Sequence, residues 1–239
     1  MELDQLTDWL WCLRTDFVHA YAVREGDAFC LIDTSTAGND EAILKLLGGL
    51  AGSAHEEVKI VEIFLTHGHS DHTGSAAAIV ARTGARVVAA VGDARLIRAE
   101  QSAPPPQLTD WEVPLFEQVM PGVPLEQRLA PAAAVVPDRL VRGGDTLDWQ
   151  RRATLLAVPG HTPGSTAVWF ESERVLIAGD AIASHNRRPI LGVFNADPAA
   201  ARDSFRRLAR LDADLACFGH GDPIRSRAGL RLAEVARSL

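Results

Sequence analysis

Along the first ninety residues, short apolar runs alternate with turn residues, and their period changes from strand-like to helix-like and back. FVHAYAVR (17–24) and AFCLID (28–33) flank Glu25-Gly26-Asp27, a turn signal, and this predicts a β-hairpin. Asn39 or Asp40 then stands as the N-cap of a helix whose Ile43, Leu46, Leu47 and Leu50 share one face, with Gly52 ending it. KIVEIFLT (59–66) is apolar on both faces, the pattern of a central strand covered by helices. A small-residue helix over roughly 73–83 and the strand ARVVAAV (85–91) follow, with Gly84 between them.

Residues 102–142 break this rhythm. Pro104-Pro105-Pro106 opens a stretch with Trp111, Phe116 and Met120 but weak periodicity, expected to be a lid over a site or else a surface subdomain or dimer contact. From Leu147 strands resume as ATLLAV (153–158), TAVWFE (166–171), RVLIAG (174–179) and DLACF (214–218). Asp197-Pro198 is an N-cap followed by proline at the first helical position, and Ala201, Phe205, Leu208 and Ala209 continue at helical spacing. A last helix is expected near 226–238. Both halves thus run strands, helix, strand, helix, and the length suits one α/β domain spanning 1–239.

Composition contributes exclusions. Apolar content of 47% and charged content of 23% are ordinary for a globular chain, and a net charge of -7 argues against a nucleic-acid partner. Cys12, Cys30 and Cys217 are widely spaced with no C-x-x-C pair, which predicts free, buried thiols in a reducing compartment. MELDQLTDWLWCLRT has acidic residues where a signal peptide carries basic ones, and no segment approaches a membrane span. The expectation is a cytoplasmic protein, monomer or homodimer, that acts on a small-molecule substrate and binds neither membrane nor nucleic acid.

One stretch concentrates the chemistry. FLTHGHSDHTG (64–74) places His67, His69, Asp71 and His72 together, in a chain with only 8 histidines, directly after an apolar run. Neighbouring imidazoles raise one another's cost of ionisation, and a divalent metal resolves this because neutral imidazole is its commonest protein ligand. Strand ends in the second half offer more: ATLLAV leads to His161, RVLIAG to Asp180 and DLACF to His220. Glycines stand beside these positions (Gly68, Gly160, Gly179, Gly219, Gly221), where the backbone must turn sharply. Five histidines and two aspartates exceed what one tetrahedral zinc requires, so the set predicts two metals sharing a bridge, with room for water.

THGHSDH with the later His161, Asp180 and His220 resembles the metallo-β-lactamase superfamily, specifically its glyoxalase II-like metallo-hydrolase branch, over nearly the whole chain. The resemblance implies a four-layer αβ/βα sandwich, two mixed sheets packed face to face with helices outside. It implies that His67, His69 and His161 hold one ion, that Asp71, His72 and His220 hold the other, and that Asp180 bridges both. Asp71 would also orient the bridging hydroxide and take its proton, while Asp33, ending CLID, matches the family's early aspartate as a partner of a ligand. The implied activity is zinc-dependent hydrolysis of a small ester, thioester or lactone by a metal-bridging hydroxide, with two Zn2+ per chain.

Departures narrow the branch. Two-zinc β-lactamases of the commonest subclass have arginine and cysteine where His72 and Asp180 stand, and flavodiiron proteins have glutamate at the position of His69. Lactone-hydrolysing relatives carry a tyrosine three residues after the bridging aspartate, whereas Ala183 stands here and the sole tyrosine is Tyr21. Glyoxalase II proper continues into a helical glutathione-binding region, but only 19 residues follow His220, so a glutathione thioester is not the expected substrate. The alternative is an oxidoreductase, a mononuclear iron persulfide dioxygenase with one Fe2+ held by His67, His161 and Asp180 alone. Mixed Zn/Fe/Mn occupancy is the other alternative for the metals.

Remaining polar candidates read as structural. His19 is expected to be a satisfied strand histidine, His55 a surface-loop residue, and Asp145 and Asp148 turn residues. His185-Asn186-Arg187-Arg188 reads as a solvated loop, although Arg187 or Arg188 could hold an anion in bidentate fashion. Residues 102–142 and 182–195 are expected to wall the pocket.

Overall fold

The computed structural model describes residues 1–15, 17–52 and 58–239. A seven-stranded sheet follows chain order: β1 (Glu2–Gln5), β2 (Leu10–Arg14), β3 (His19–Glu25), β4 (Ala28–Ile32), β5 (Ile60–Leu65), β6 (Arg86–Ala90) and β7 (Arg139–Val141). Strands β1 to β4 form an antiparallel meander, and β4 to β7 run parallel. The parallel crossovers carry α1 (Asp40–Ala51), then α2 (Ser70–Thr73) and α3 (Ala76–Thr83), then α4 (Ala94–Ile97), α5 (Glu112–Val119) and α6 (Leu125–Arg128).

The second half supplies β8 (Thr146–Leu147), β9 (Ala153–Ala157), β10 (Thr166–Phe170), β11 (Val175–Ile177), the hairpin β12 (Ile182–His185) and β13 (Arg188–Leu191), α7 (Pro198–Leu208), β14 (Leu215–Cys217) and α8 (Ala228–Ala236). Five of these strands form a second sheet in the order β14-β11-β10-β9-β8, parallel at β11/β14 and antiparallel elsewhere. Both large sheets are therefore mixed.

Side-chain alternation dictates the layers. Cys12, Tyr21, Val23, Cys30, Ile32 and Phe64 leave one face of the first sheet to meet Leu155, Val168, Phe170, Ile177 and Cys217 of the second. Their sequence neighbours Trp11, Leu13, Ala22, Phe29 and Leu31 leave the other face and pack on Ile43, Leu44 and Leu47 of α1 and Ile79 of α3. In the second sheet Ala167, Trp169 and Leu176 turn outward onto Phe205 and Leu208 of α7 and Leu232 of α8. Strands apolar on both faces need cover on both sides, and the result is the expected order helix, sheet, sheet, helix. All three cysteines are free and buried within the layer between the sheets.

The hairpin, α1, β5, β6, β9 and β10 fall within two residues of their expected spans. Helix α1 ends as predicted, on Gly52 at φ 68°, whose N–H bonds Gly48 O. Asn39 occupies the N-cap position but makes no capping bond: its backbone is helical rather than extended, and its Nδ2 donates to Thr36 Oγ1 at 2.8 Å. The helix expected over roughly 73–83 is α3, starting three residues later and ending on Gly84 as expected, with the single turn α2 ahead of it, and RVLIAG yields only a short β11 before a tight turn at Gly179–Ala181. Residues 102–142 are not uniformly irregular: they contain α5, α6 and the edge strand β7. Asp145 is a turn residue, its Oδ2 accepting from Arg142 N. His55 lies outside the described residues.

Among the described residues, no helix is long and apolar enough to cross a membrane. The C-terminal ends of β4, β5, β6, β9, β11 and β14 open onto one rim of the sandwich, and the loops leaving them carry the polar residues of interest.

Candidate metal centre

The rim is ordered from β4 inward. Asp33, immediately after β4, sits at φ 62° with its side chain buried, and its carboxylate accepts from Thr66 N at 2.8 Å and Thr66 Oγ1 at 2.7 Å. The same Oδ2 lies 2.8 Å from His72 Nδ1. The end of one parallel strand thus fixes the loop leaving the next, from Thr66 through the single turn of α2.

That loop and three others bring together all seven residues predicted from sequence. His67, His69 and His161 form one group of ligand atoms within 4.8 Å of one another; His67, His72 and Asp180 form a second; Asp71, His72 and His220 form a third. Asp180 stands between them. Its Oδ2 is 3.4 Å from His161 Nε2, 3.1 Å from His220 Nε2 and 4.0 Å from His67 Nε2, and its Oδ1 is 3.3 Å from His72 Nε2. Asp71 Oδ2 lies 3.4 Å from His220 Nε2 and 3.8 Å from His72 Nε2. His67, His72, His161 and Asp180 are buried, whereas His69, Asp71 and His220 are partly exposed and form the mouth.

Each inward-facing nitrogen is selected by a bond on the far side of its ring. His72 Nδ1 faces Asp33, His161 Nδ1 donates to Val193 O at 3.0 Å, and His220 Nδ1 donates to Phe17 O at 2.7 Å. His67 Nδ1 lies 3.1 Å from Thr66 Oγ1. These contacts leave Nε2 of each of the four rings turned toward Asp180, which is how ligand histidines are normally oriented. His69 instead presents Nδ1, 2.9 Å from His161 Nε2.

The donors fit a divalent cation. Among the described residues, His67 Nε2, His72 Nε2 and Asp180 Oδ1 are buried and make no hydrogen bond, although such atoms are normally satisfied. Burial, helped by neighbouring imidazoles, holds His67 and His69 below the usual histidine range and His161 down to about 4, so these rings are neutral and ready to ligate. On the other side burial opposes protonation, but Asp180, Asp71 and Asp33 outweigh it and push His72 up, while Asp180 and Asp71 push His220 up to about 10. The two carboxylates themselves are held below the ordinary range against burial, Asp71 by His72 and His220 and Asp180 by His220 and His72. Two ionised carboxylates side by side, one buried and one at the mouth, favour positive charge in this rim.

Residues 13–220 match the sequence model of the metallo-beta-lactamase superfamily. The chain belongs to that superfamily. A probable metallo-hydrolase of Bacillus subtilis (strain 168) is 27% identical over 227 residues, covering 87% of this chain and 68% of the relative. A hydroxyacylglutathione hydrolase of Cereibacter sphaeroides is 29% identical over 172 residues, covering 72% of this chain and 52% of that one. A solved metallo-beta-lactamase family protein from Thermus thermophilus superposes with a TM-score of 0.71 at 25% identity, covering 98% of this chain and 80% of that one. Superfamily members bind metal ions, and the fold agrees with the sandwich described above.

Within this superfamily chain, several residues that hold the site together carry no motif. Asp93, after β6, is buried and accepts from Gly68 N at 2.9 Å, Thr162 Oγ1 at 2.6 Å and Gly164 N at 2.7 Å. It ties the loop of His67 and His69 to the loop of His161. Gly219 approaches so closely that a Cβ there would lie 2.0 Å from Asp180 Oδ1, a cradle only glycine leaves open. Tyr21, in β3, spans the sheets to donate its hydroxyl to Phe218 O at 2.6 Å, fixing the strand end that carries His220. Phe17 is half exposed and stacks on His220 at 6.1 Å.

Other candidates stay outside the cluster. His19 is buried in β3, its backbone N–H bonded to Gly219 O at 2.8 Å. His185, Asn186, Arg187 and Arg188 form the exposed tip of the β12–β13 hairpin, with Asn186 and Arg187 both at positive φ as a two-residue hairpin turn requires. Arg187 Nε reaches Asp222 Oδ2 at 3.7 Å.

Proposed function

We propose that the chain is a dinuclear, zinc-dependent hydrolase of a small ester, thioester or lactone. The observation that carries this reading is Asp180, whose carboxylate lies between the two sets, within 3.4 Å of His161 Nε2 from one and within 3.3 Å of His220 Nε2 and His72 Nε2 from the other. On this reading His67, His69 and His161 would hold one ion and Asp71, His72 and His220 the second, each a group of converging donors, with Asp180 shared between them. When bound, the ions supply Lewis-acid polarisation of a carbonyl and lower the pKa of a water.

The protein's own groups do the rest. The buried floor of His67, His72 and Asp180 keeps bulk water away, and the partly exposed His69, Asp71 and His220 define the mouth through which a substrate carbonyl enters. Asp71, held ionised by His72 and His220, accepts a hydrogen bond from the attacking water and so orients it. Phe17 offers an apolar wall at that mouth. The relatives named as a metallo-hydrolase and a hydroxyacylglutathione hydrolase support hydrolysis, the latter of a thioester. Free buried thiols support a reducing, cytoplasmic setting.

Convergence of Asp71, His72 and His220 as a separate group favours this reading over a mononuclear iron dioxygenase, which would need only His67, His161 and Asp180. The test is turnover of an activated ester and a thioester by zinc-loaded and metal-stripped protein, beside oxygen uptake with a persulfide on iron-loaded protein. Zinc-restored hydrolysis without oxygen uptake is expected. Full activity after stripping, or oxygen consumption without hydrolysis, overturns it.

A further inference from the structure

Glu112 opens α5 within the 102–142 segment, yet its side chain is buried at 5% exposure. A buried carboxylate needs donors. Its Oε2 accepts from Thr109 N at 2.9 Å and Thr109 Oγ1 at 2.6 Å, the carboxylate half of a Thr-x-x-Glu capping box. Its Oε1 accepts from the backbone N–H of Phe194 at 2.8 Å, 82 residues further along the chain.

That N–H belongs to the peptide whose carbonyl is Val193 O, and Val193 O accepts from His161 Nδ1 at 3.0 Å. A trans peptide is planar, with N–H and C=O pointing in opposite directions, so one rigid plate joins Glu112 to His161. The loop around it is held by the same segment. The Phe194 ring meets Phe116 of α5 edge-on at 5.0 Å, Gln107 N donates to Asn195 O at 2.8 Å, and Gln107 Nε2 donates to Ala196 O at 2.7 Å. Phe194 itself sits at φ 59°, a conformation that a non-glycine residue keeps only when its surroundings impose it.

We propose that Glu112 is a positioning residue for the metal centre. Through the Val193–Phe194 peptide it fixes the carbonyl that holds the His161 ring with Nε2 toward Asp180. Hydrogen bonds in series polarise one another, so the carboxylate also strengthens the grip of Val193 O on His161. This makes the 102–142 segment a brace of the site rather than an appendage. The proposal rests on the reading of His161 as a metal ligand.

The experiment compares full-length wild type with Glu112→Ala, Glu112→Gln and Thr109→Val, each checked for folding. The readouts are zinc affinity by chelator competition, the visible spectrum of the Co2+-loaded protein, and kcat against KM for an activated ester. Glu112→Ala is expected to weaken the ion held by His161 by about tenfold, the scale typical of partners that orient metal ligands. Its Co2+ spectrum should change and kcat should fall more than KM rises, with Glu112→Gln intermediate. Thr109→Val, which spares the Phe194 bond, should lower only the unfolding midpoint. Wild-type affinity and spectrum in a folded Glu112→Ala protein, or in Glu112→Gln should the alanine variant not fold, overturn the proposal while leaving the functional reading intact. A wild type that takes up no divalent ion overturns the functional reading and this proposal with it.

Discussion

Asp33 Oδ2 and His72 Nδ1, 39 residues apart in sequence, lie 2.8 Å apart in the buried rim between β4 and β5. With Thr66 N and Oγ1 donating to the same carboxylate, Asp33 can only accept, so the proton on His72 stays at Nδ1 and Nε2 faces Asp71 and Asp180. The tautomer of a proposed ligand is thereby set by a residue outside the proposed ligand set.

Asp33→Asn places an amide where this acceptor stood. An Nδ2 group turned to His72 drives the imidazole proton to Nε2 and blocks ligation. The expected result is a roughly 10–100-fold loss of zinc affinity at the position held by Asp71, His72 and His220. Zinc titration against a chelating dye reads both sites; unchanged affinity at the position of Asp71, His72 and His220 contradicts the assignment of Asp33.

Asp93→Ala removes the acceptor shared by Gly68 N, Thr162 Oγ1 and Gly164 N. Each buried donor left unpaired costs about 1–3 kcal/mol. The metal-free variant should therefore lose about 3 kcal/mol or more in urea unfolding, and a loss below about 1 kcal/mol shows that water replaces the carboxylate.

The clustering of the candidate ligands was legible because they sit in one compact motif and at the ends of clearly apolar strands. THGHSDH, His161, Asp180 and His220 each follow such a run, and the structure gathers all seven residues. Asp33 was legible only through family resemblance. Asp93 and Glu112 were not, since their partners lie 25, 69, 71 and 82 residues away and a single acidic residue has no periodicity to mark it. Strand β1 escaped for a related reason: ELDQ is an edge strand with little apolar alternation, and pairing with β2 rather than burial makes it a strand. The Thr109-x-x-Glu112 pattern was a usable signal for the start of α5, but nothing local points to Phe194.

His19 gives a pH dependence of known sign. Burial, with Arg14 nearby, holds it down to about 4 in the folded protein against an ordinary value of 6.5. Below 6.5 the unfolded chain takes up a proton that the folded chain refuses until about 4, so this group's effect is to reduce stability as pH falls across that window. The full effect is roughly 3 kcal/mol. Urea unfolding of chelator-treated wild type and His19→Gln at pH 7.5 and 5 should show a shallower loss in the variant. Parallel losses contradict a buried neutral His19.

Two ions held by separate sets of residues and joined by Asp180 would show in the metal stoichiometry. Metal-stripped protein equilibrated with zinc and analysed by mass spectrometry of its metal content tests it most directly, with His220→Ala measured alongside. About two zinc ions per chain are expected in the wild type and about one in the variant. One ion per wild-type chain, unchanged by His220→Ala, contradicts it.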